Sequence, residues 1–197
     1  MERFFSPDLF LEAGCDEAGR GPLAGPVLAA AVILPPDFDL PGLNDSKVLK
    51  EEPRLMLESE IRKQAVSWAV AQCSAEEIDK YNILNASILA MHRALDQLQT
   101  RPELILVDGN RFKDYPFIPH RCITKGDARF ASIAAASILA KNERDRIMRK
   151  LAADFPGYGW ERNMAYPTPE HCRALLQLGP TLHHRKSFVL REPHRFE

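Results

Sequence analysis

The 197-residue chain has four cysteines, Cys15, Cys73, Cys122 and Cys172, and no C-x-x-C pair among them. That excludes a zinc knuckle and a dithiol redox centre, and scattered cysteines of this kind stay reduced in the cytosol. His171-Cys172 and His183-His184 lack the matched partner spacings of a soft-metal site. No run of eighteen apolar residues is present, so no membrane-spanning helix is expected. The opening Met1-Glu2-Arg3-Phe4-Phe5-Ser6-Pro7-Asp8 has no basic-then-apolar signal-peptide pattern, and a cytoplasmic protein is expected. An excess of basic charge is missing too: the net charge is −1 and the pI about 6.6. Bulk charge therefore argues nothing for nucleic-acid binding, and any such function must rest on local features. There is no internal repeat and no low-complexity stretch.

What is present is an ordinary globular composition, 45% hydrophobic and 27% charged, at a length that suits one domain. Residues 9–15 and 27–34 read as strands close enough to pair antiparallel, the second stopped by Pro35-Pro36. Residues 51–64 have a helical period, with Pro53 in the first turn, and 65–73 read as a third strand. Helices are expected at 75–79 and 82–99. The wholly apolar 104–107 reads as a strand buried on both faces, and 118–124 as a further strand. A long helix is expected from Asp127 to about residue 153, its first part core and its charged later part, from Lys141 to Lys150, solvated. A last helix is expected from Pro169 to near Gly179. This order predicts a mixed α/β sheet with helices on its faces. Residues 1–197 read as a single domain in which about 155–197 form a C-terminal cap.

Four acids sit where elements begin or end: Asp16 and Glu17 at the first strand, Asp108 after the buried apolar strand, and Asp127 before the long helix. Each has glycine beside it or close by (Gly14, Gly19, Gly109, Gly126), which permits tight turns and close approach. Phosphodiester cleavage needs charge stabilised on the attacking and leaving oxygens, and paired divalent cations do both. Magnesium and manganese take carboxylate oxygens, and clustered acids repel one another unless a cation offsets them. Neighbouring strand residues point to opposite faces, so Asp16 and Glu17 share a metal only if the strand distorts or Glu17 reaches round, by side chain or by backbone carbonyl. Structural readings stand beside this one: Asp127 is also a good helix N-cap, and Asp108 before glycine an ordinary turn residue.

Gly19-Arg20-Gly21 follows the acid pair. Exposed backbone N–H groups and a forked guanidinium suit a sugar–phosphate backbone; a hairpin turn with a solvated arginine is the alternative. Asn44, Asp45, Ser46 and Lys47 precede a helix, where they can contact phosphate or simply cap. Tyr166, His171, His183, His184, Arg185 and Lys186 interleave aromatic and basic groups in the cap, in a manner that could grip a duplex.

These pieces together resemble the type 2 ribonucleases H, bacterial ribonuclease HII in particular. Cys15-Asp16-Glu17-Ala18-Gly19-Arg20-Gly21-Pro22 is similar to the family's D-E-x-G-R-G signature, and Leu43-Asn44-Asp45-Ser46-Lys47 to its L-N-D-S-K segment. Val107-Asp108-Gly109-Asn110 and Lys125-Gly126-Asp127 with Ser132–Lys141 resemble its third and fourth acid motifs. Phe155-Pro156-Gly157-Tyr158-Gly159, Tyr166-Pro167-Thr168 and His184-Arg185-Lys186-Ser187-Phe188 resemble its C-terminal blocks. The resemblance implies a ribonuclease H-like five-stranded mixed sheet. It implies endonucleolytic hydrolysis of the RNA strand of RNA–DNA hybrids, and incision at ribonucleotides embedded in duplex DNA, leaving 5′-phosphate and 3′-hydroxyl ends. It implies Asp16, Glu17, Asp108 and Asp127 as a catalytic set for Mg2+ or Mn2+. It implies Gly19, Arg20 and Gly21 as readers of the ribose 2′-hydroxyl and Tyr166 against the adjoining deoxyribose. By their own chemistry Asn44, Ser46, Lys47, His184 and Arg185 are further candidate substrate contacts, and a cytoplasmic monomer with no membrane partner is expected. The chain departs from the family pattern just before Tyr166, where Met164 and Ala165 replace the usual lysine and glycine.

Overall fold

The computed structural model describes residues 1–6, 11–46 and 48–188. Five strands form one sheet in the order β3-β2-β1-β4-β5. They are β1 (Glu12–Ala18), β2 (Val27–Ile33), β3 (Ser67–Cys73), β4 (Leu104–Asp108) and β5 (His120–Ile123). β1, β2 and β3 pair antiparallel, and β1-β4 and β4-β5 pair parallel. This is the expected mixed sheet. Its first strand differs from the sequence reading: β1 does not stop at Cys15 but continues through both acids to Ala18. The first residues of the expected strand, 9 and 10, lie outside the described residues.

Side-chain alternation divides the core between the two faces. Ala13, Cys15, Val27, Ala29, Ala31 and Ile33 pack with helix α3 (Ile83–Asp96), which follows the short α2 (Ala75–Tyr81). Ala30, Val32 and Leu34 face the opposite way, against α1 (Glu51–Gln64) and α4 (Ala131–Asp154). β2 is buried along its whole length, as a continuous apolar run predicts for a strand covered on both sides. Its three alanines let both helical layers approach. α4 lies closest to β1, and a Cβ on Gly14 would overlap the backbone of Ser132 and Ile133.

The charged second half of α4 is solvated only in part: Arg146, Arg149 and Lys150 are exposed, but one side is not. Asn142, Arg144 and Asp145 are buried. Arg54 of α1 donates to Asn142 Oδ1 at 2.6 Å and to Asp145 Oδ2 at 2.9 Å, while Asn142 Nδ2 and Arg146 both donate to Glu58. Polar groups that satisfy one another in this way fasten α1 to α4. Beyond α4, α5 (Trp160–Asn163), α6 (Pro169–Leu178) and the segment between them carry Trp160, Ala174 and Ala165 into a separate apolar cluster with Met148, Ala152 and Ala24.

Substituting Gly14→Ala should destabilise the protein by about 3 kcal/mol, because backbone rather than a flexible side chain must move. For a chain of this size that lowers Tm by roughly 6–12 °C. Gly42→Ala is the contrasting variant. Gly42 has φ 81° with open space around it, so only the left-handed conformation is penalised, by about 1 kcal/mol. Thermal unfolding of the two variants checks the difference; equal losses would contradict the close α4–β1 crossing.

Candidate active site

In the parallel register Cys15 lies opposite Val107, so the next residue of each strand, Asp16 and Asp108, comes to the same end of the sheet. Ligands in open α/β sheets bind beyond the carboxyl ends of strands, and this is such an end. Asp127 arrives from a 3₁₀ turn, Gly126–Ala128. The Gly126 N–H donates to Asp108 Oδ1 at 2.7 Å and ties that turn to the end of β4. Asp127 is therefore not the N-cap of the long helix: α4 begins after Phe130, which makes no side-chain cap. Oxygens of Asp16, Asp108 and Asp127 lie within 4.8 Å of one another.

Asp16 is 2% exposed. Its Oδ1 accepts the Glu17 N–H at 2.7 Å, and its Oδ2 is buried without a hydrogen-bond partner. Burial first, then the charges of Glu17 and Asp108, holds its carboxyl well above the usual carboxylate range, against the opposing pull of the Ser137 hydroxyl and the Glu17 amide. An orphaned, desolvated oxygen among like charges is what a divalent cation would satisfy. The donor set, all hard oxygen, fits magnesium or manganese.

Glu17 behaves differently. The β1–β2 pairing continues without a bulge from Ala13 to Ala18, so Glu17 turns to the α3 side of the sheet. Its Oε1 accepts from Arg20 Nη1 at 3.1 Å. There Glu17, Arg20, Asp108, Asn110 and Arg111 line a cleft of about 270 Å³, floored by Leu84, Ile88 and Met91 of α3. The three-aspartate group does not include the Glu17 carboxylate, although Asp16 feels its charge. Asp108 borders both the cluster and the cleft.

Gly19 has φ 97°, and a Cβ there would overlap Arg144 Nε; Gly21 lies against the Tyr166 ring, with a would-be Cβ 3.4 Å from Cε1. The loop and the tyrosine expected to read opposite sides of a ribose junction are thus neighbours. Tyr166 is 45% exposed, and its backbone is held from behind. His171 Nδ1 faces the Tyr166 carbonyl at 3.1 Å, so it must carry the proton, which leaves Nε2 to accept from Trp160 Nε1 at 2.9 Å. His184 Nδ1 accepts the Thr181 N–H at 2.9 Å, so its Nε2–H points at His171 Nε2, 3.3 Å away. Both rings are buried and fixed as neutral tautomers. Met164 and Ala165, the departures noted above, have φ 48° and 63°. The replaced glycine would enter this left-handed conformation freely, whereas alanine does so at a cost of about 1 kcal/mol.

The remaining candidates separate. Asn44 is exposed, and its Oδ1 accepts the Asp45 N–H. Ser46 is buried, 2.8 Å from Ser137 Oγ, which places it behind Asp16 rather than on a substrate-facing surface. Lys47 lies outside the described residues. His184 and Arg185, expected as substrate contacts, are 5% and 3% exposed; from inside the protein they hydrogen-bond the loop and the ring that backs Tyr166. Arg144 was hidden in the sequence by its charged neighbours, yet Ala140, Arg144, Met148 and Ala152 recur at every fourth residue and all are buried. Ser137 gave no signal in an alanine-rich helix.

Comparison with known proteins agrees with this geometry. The sequence pattern of the family described as Ribonuclease HII matches residues 13–191. The chain belongs to the ribonuclease HII family. It is 60% identical to a ribonuclease HII of Bacteroides fragilis over 180 residues, 91% of this chain and 90% of that one, and 56% identical to one of Porphyromonas gingivalis over 188 residues, 95% and 93%. The fold is similar to that of ribonuclease H2 from Pyrococcus horikoshii (TM-score 0.75, 25% identity, 90% of this chain and 93% of that one). It is also similar to the ribonuclease HII solved in complex with PCNA from Archaeoglobus fulgidus (TM-score 0.72, 28% identity, 93% and 97%). This ribonuclease HII family member is a ribonuclease H-type endonuclease.

Two predictions concern stability. Burial lowers the pKa of His171, and burial with the neighbouring His171 takes His184 to about 4. A histidine whose folded pKa lies below its unfolded value of about 6.5 supports folding fully above that pH and loses the contribution as pH falls towards 4. Thermal unfolding should therefore show Tm falling from about pH 6.5 to 4, less steeply in His184→Gln. The raised pKa of Asp16 has the opposite sign: its ionised form at neutral pH opposes folding. Asp16→Asn should raise Tm in chelator-treated protein by roughly 2–4 °C, the equivalent of about 1 kcal/mol; a lowered Tm would refute the uncompensated charge.

Proposed function

We propose that this endonuclease cuts the RNA strand of RNA–DNA hybrids and incises at ribonucleotides embedded in duplex DNA, leaving 5′-phosphate and 3′-hydroxyl ends. The observation that carries the reading is the juxtaposition of the three-aspartate cluster with Gly19-Arg20-Gly21 and, against Gly21, the ring of Tyr166. The 2′-hydroxyl is the group by which a protein separates RNA from DNA, and a loop with exposed backbone beside a hydrolytic cluster is suited to reading it.

The activity depends on a divalent cation, Mg2+ or Mn2+, held by Asp16, Asp108 and Asp127, with Glu17 contributing from the cleft side. Bound cations would stabilise charge on the attacking and leaving oxygens of the phosphodiester. The carboxylates act as ligands, not as nucleophiles. Asp16 is fixed in place by burial and by the Glu17 amide, and Asp108 by the Gly126 N–H. Arg20, half exposed beside Glu17, offers a fork to a phosphate oxygen. The half-exposed ring of Tyr166 supplies a flat apolar face to a deoxyribose. Asn44 and Arg111, both exposed, offer further polar groups to a nucleic-acid backbone. With a net charge of −1, affinity rests on these local groups.

The reading includes a cytoplasmic monomer with one catalytic domain whose C-terminal cap begins at about residue 155. Among the described residues no helix is long and apolar enough to cross a membrane, which agrees with a substrate in solution.

Matched duplexes with and without one embedded ribonucleotide test the reading. The expected result is incision at the ribonucleotide alone, with Mg2+ or Mn2+ required; equal cutting of both duplexes would overturn it in favour of a DNA nuclease. Asp108→Asn should lower the single-turnover rate by more than about 100-fold, the scale on which a single lost charge-stabilising group acts. A folded variant that cuts at the wild-type rate would remove Asp108 from the site.

A further inference from the structure

Arg185 is buried, yet it makes no ion pair among the described residues. Its guanidinium is instead wrapped by carbonyls of the segment after β1. It donates to Gly19 O at 2.6 Å, Arg20 O at 3.0 Å, Gly25 O at 2.9 and 3.1 Å and Pro26 O at 3.3 Å. Arg144, also buried, completes the arrangement. Its Nη2 donates to Met164 O at 3.1 Å and, at 3.4 Å, to Ala24 O, and its Nε lies against Gly19. Burying a guanidinium without a carboxylate is costly. Two such groups beneath one loop fix the directions of its backbone carbonyls.

The bonding pattern has a directional consequence. In a planar trans peptide the C=O and the N–H point in opposite directions. Arg185 draws the carbonyls of Gly19 and Arg20 inwards, so the N–H groups at the other ends of the same two peptide units, those of Arg20 and Gly21, face outwards. Among the described residues neither N–H has a hydrogen-bond acceptor. They open on the side where Arg20 and Gly21 are exposed and where Gly21 meets Tyr166. A cation on the carbonyl end also polarises the peptide and strengthens the donor at its far end.

We propose that Arg185 is a positioning residue for ribose recognition: from inside the protein it aims and polarises the two peptide units whose N–H groups, on Arg20 and Gly21, donate to the ribose 2′-oxygen. The proposal rests on the reading of this loop given above. Lysine at 185 keeps a positive charge, but its single ammonium cannot span Gly19, Arg20, Gly25 and Pro26 together.

The test is Arg185→Lys in the full chain, with near-UV circular dichroism to establish the fold. Three quantities are measured: Mn2+ binding by calorimetry, affinity for an all-DNA duplex, and single-turnover cleavage of the same duplex carrying one ribonucleotide. The expected result is a folded variant with Mn2+ binding and all-DNA affinity within about twofold of wild type, and ribonucleotide cleavage down by about tenfold or more, the scale of one or two weakened hydrogen bonds. Cleavage within threefold of wild type would overturn the proposal, and so would a parallel loss of all three quantities. Failure of the variant to fold would assign Arg185 to the scaffold and overturn it as well. The underlying reading fails separately, if wild-type protein does not cut at the ribonucleotide.

Discussion

The parallel ladder between β1 and β4 sets Cys15 beside Val107, and one residue further along each strand is an aspartate. This pairing is the constraint on which the site depends. Two carboxylates at neighbouring strand ends, one of them buried, repel each other, so something stronger must hold the strands in register. That is the apolar packing on both faces: α3 covers Ala13, Cys15 and Val107, while α4 crosses so closely over Gly14 that its helix backbone takes the place of a side chain. The same helix brings Ser137 to Asp16 and Arg144 to Gly19. The turn that carries the third aspartate is tied in by a hydrogen bond from the Gly126 N–H to the Asp108 carboxylate. Burial of the sheet thus sustains a carboxylate cluster that is unfavourable until a cation is added.

Much of this was legible in the sequence. Asp16 and Asp108 could be singled out because each comes at or near the end of an apolar run beside glycine, a local signal that survives folding. The α/β class and most element positions followed from apolar period, since α1 and β2 are governed by their own patterns. The rest depended on pairings that no local pattern carries. An unbroken β1–β2 register sends Glu17 to the opposite face from Asp16, and only the partner strand reveals it. Asp127 satisfied the N-cap rule, yet tertiary contacts placed it in a 3₁₀ turn before the helix. His184 and Arg185 looked like surface groups because charge usually means exposure; what buries them is a cradle of carbonyls and ring nitrogens from residues up to 166 positions away. For Arg144 the four-residue stripe was there to be read, and mixed neighbouring charges obscured it.

At the site of this nearly neutral chain, the clustered aspartates and the guanidiniums of Arg144 and Arg185 occupy separate places. The aspartates gather at the strand ends, and the two buried guanidiniums lie behind the adjoining loop. Asp16, Asp127, Arg144 and Arg185 are buried, so their fields are less screened than that of a surface charge. In the proposed reading, cation and ribose are addressed by separate, fixed features.

The clasp between Arg185 and Gly19 also has a meaning in time. All three clustered aspartates leave the ribosome before residue 128, whereas the arginine that holds the neighbouring loop emerges only at 185. A nascent chain therefore possesses the acids well before it possesses the clasp. The acids are thus encoded early along the polypeptide, and the arginine that clasps the neighbouring loop late.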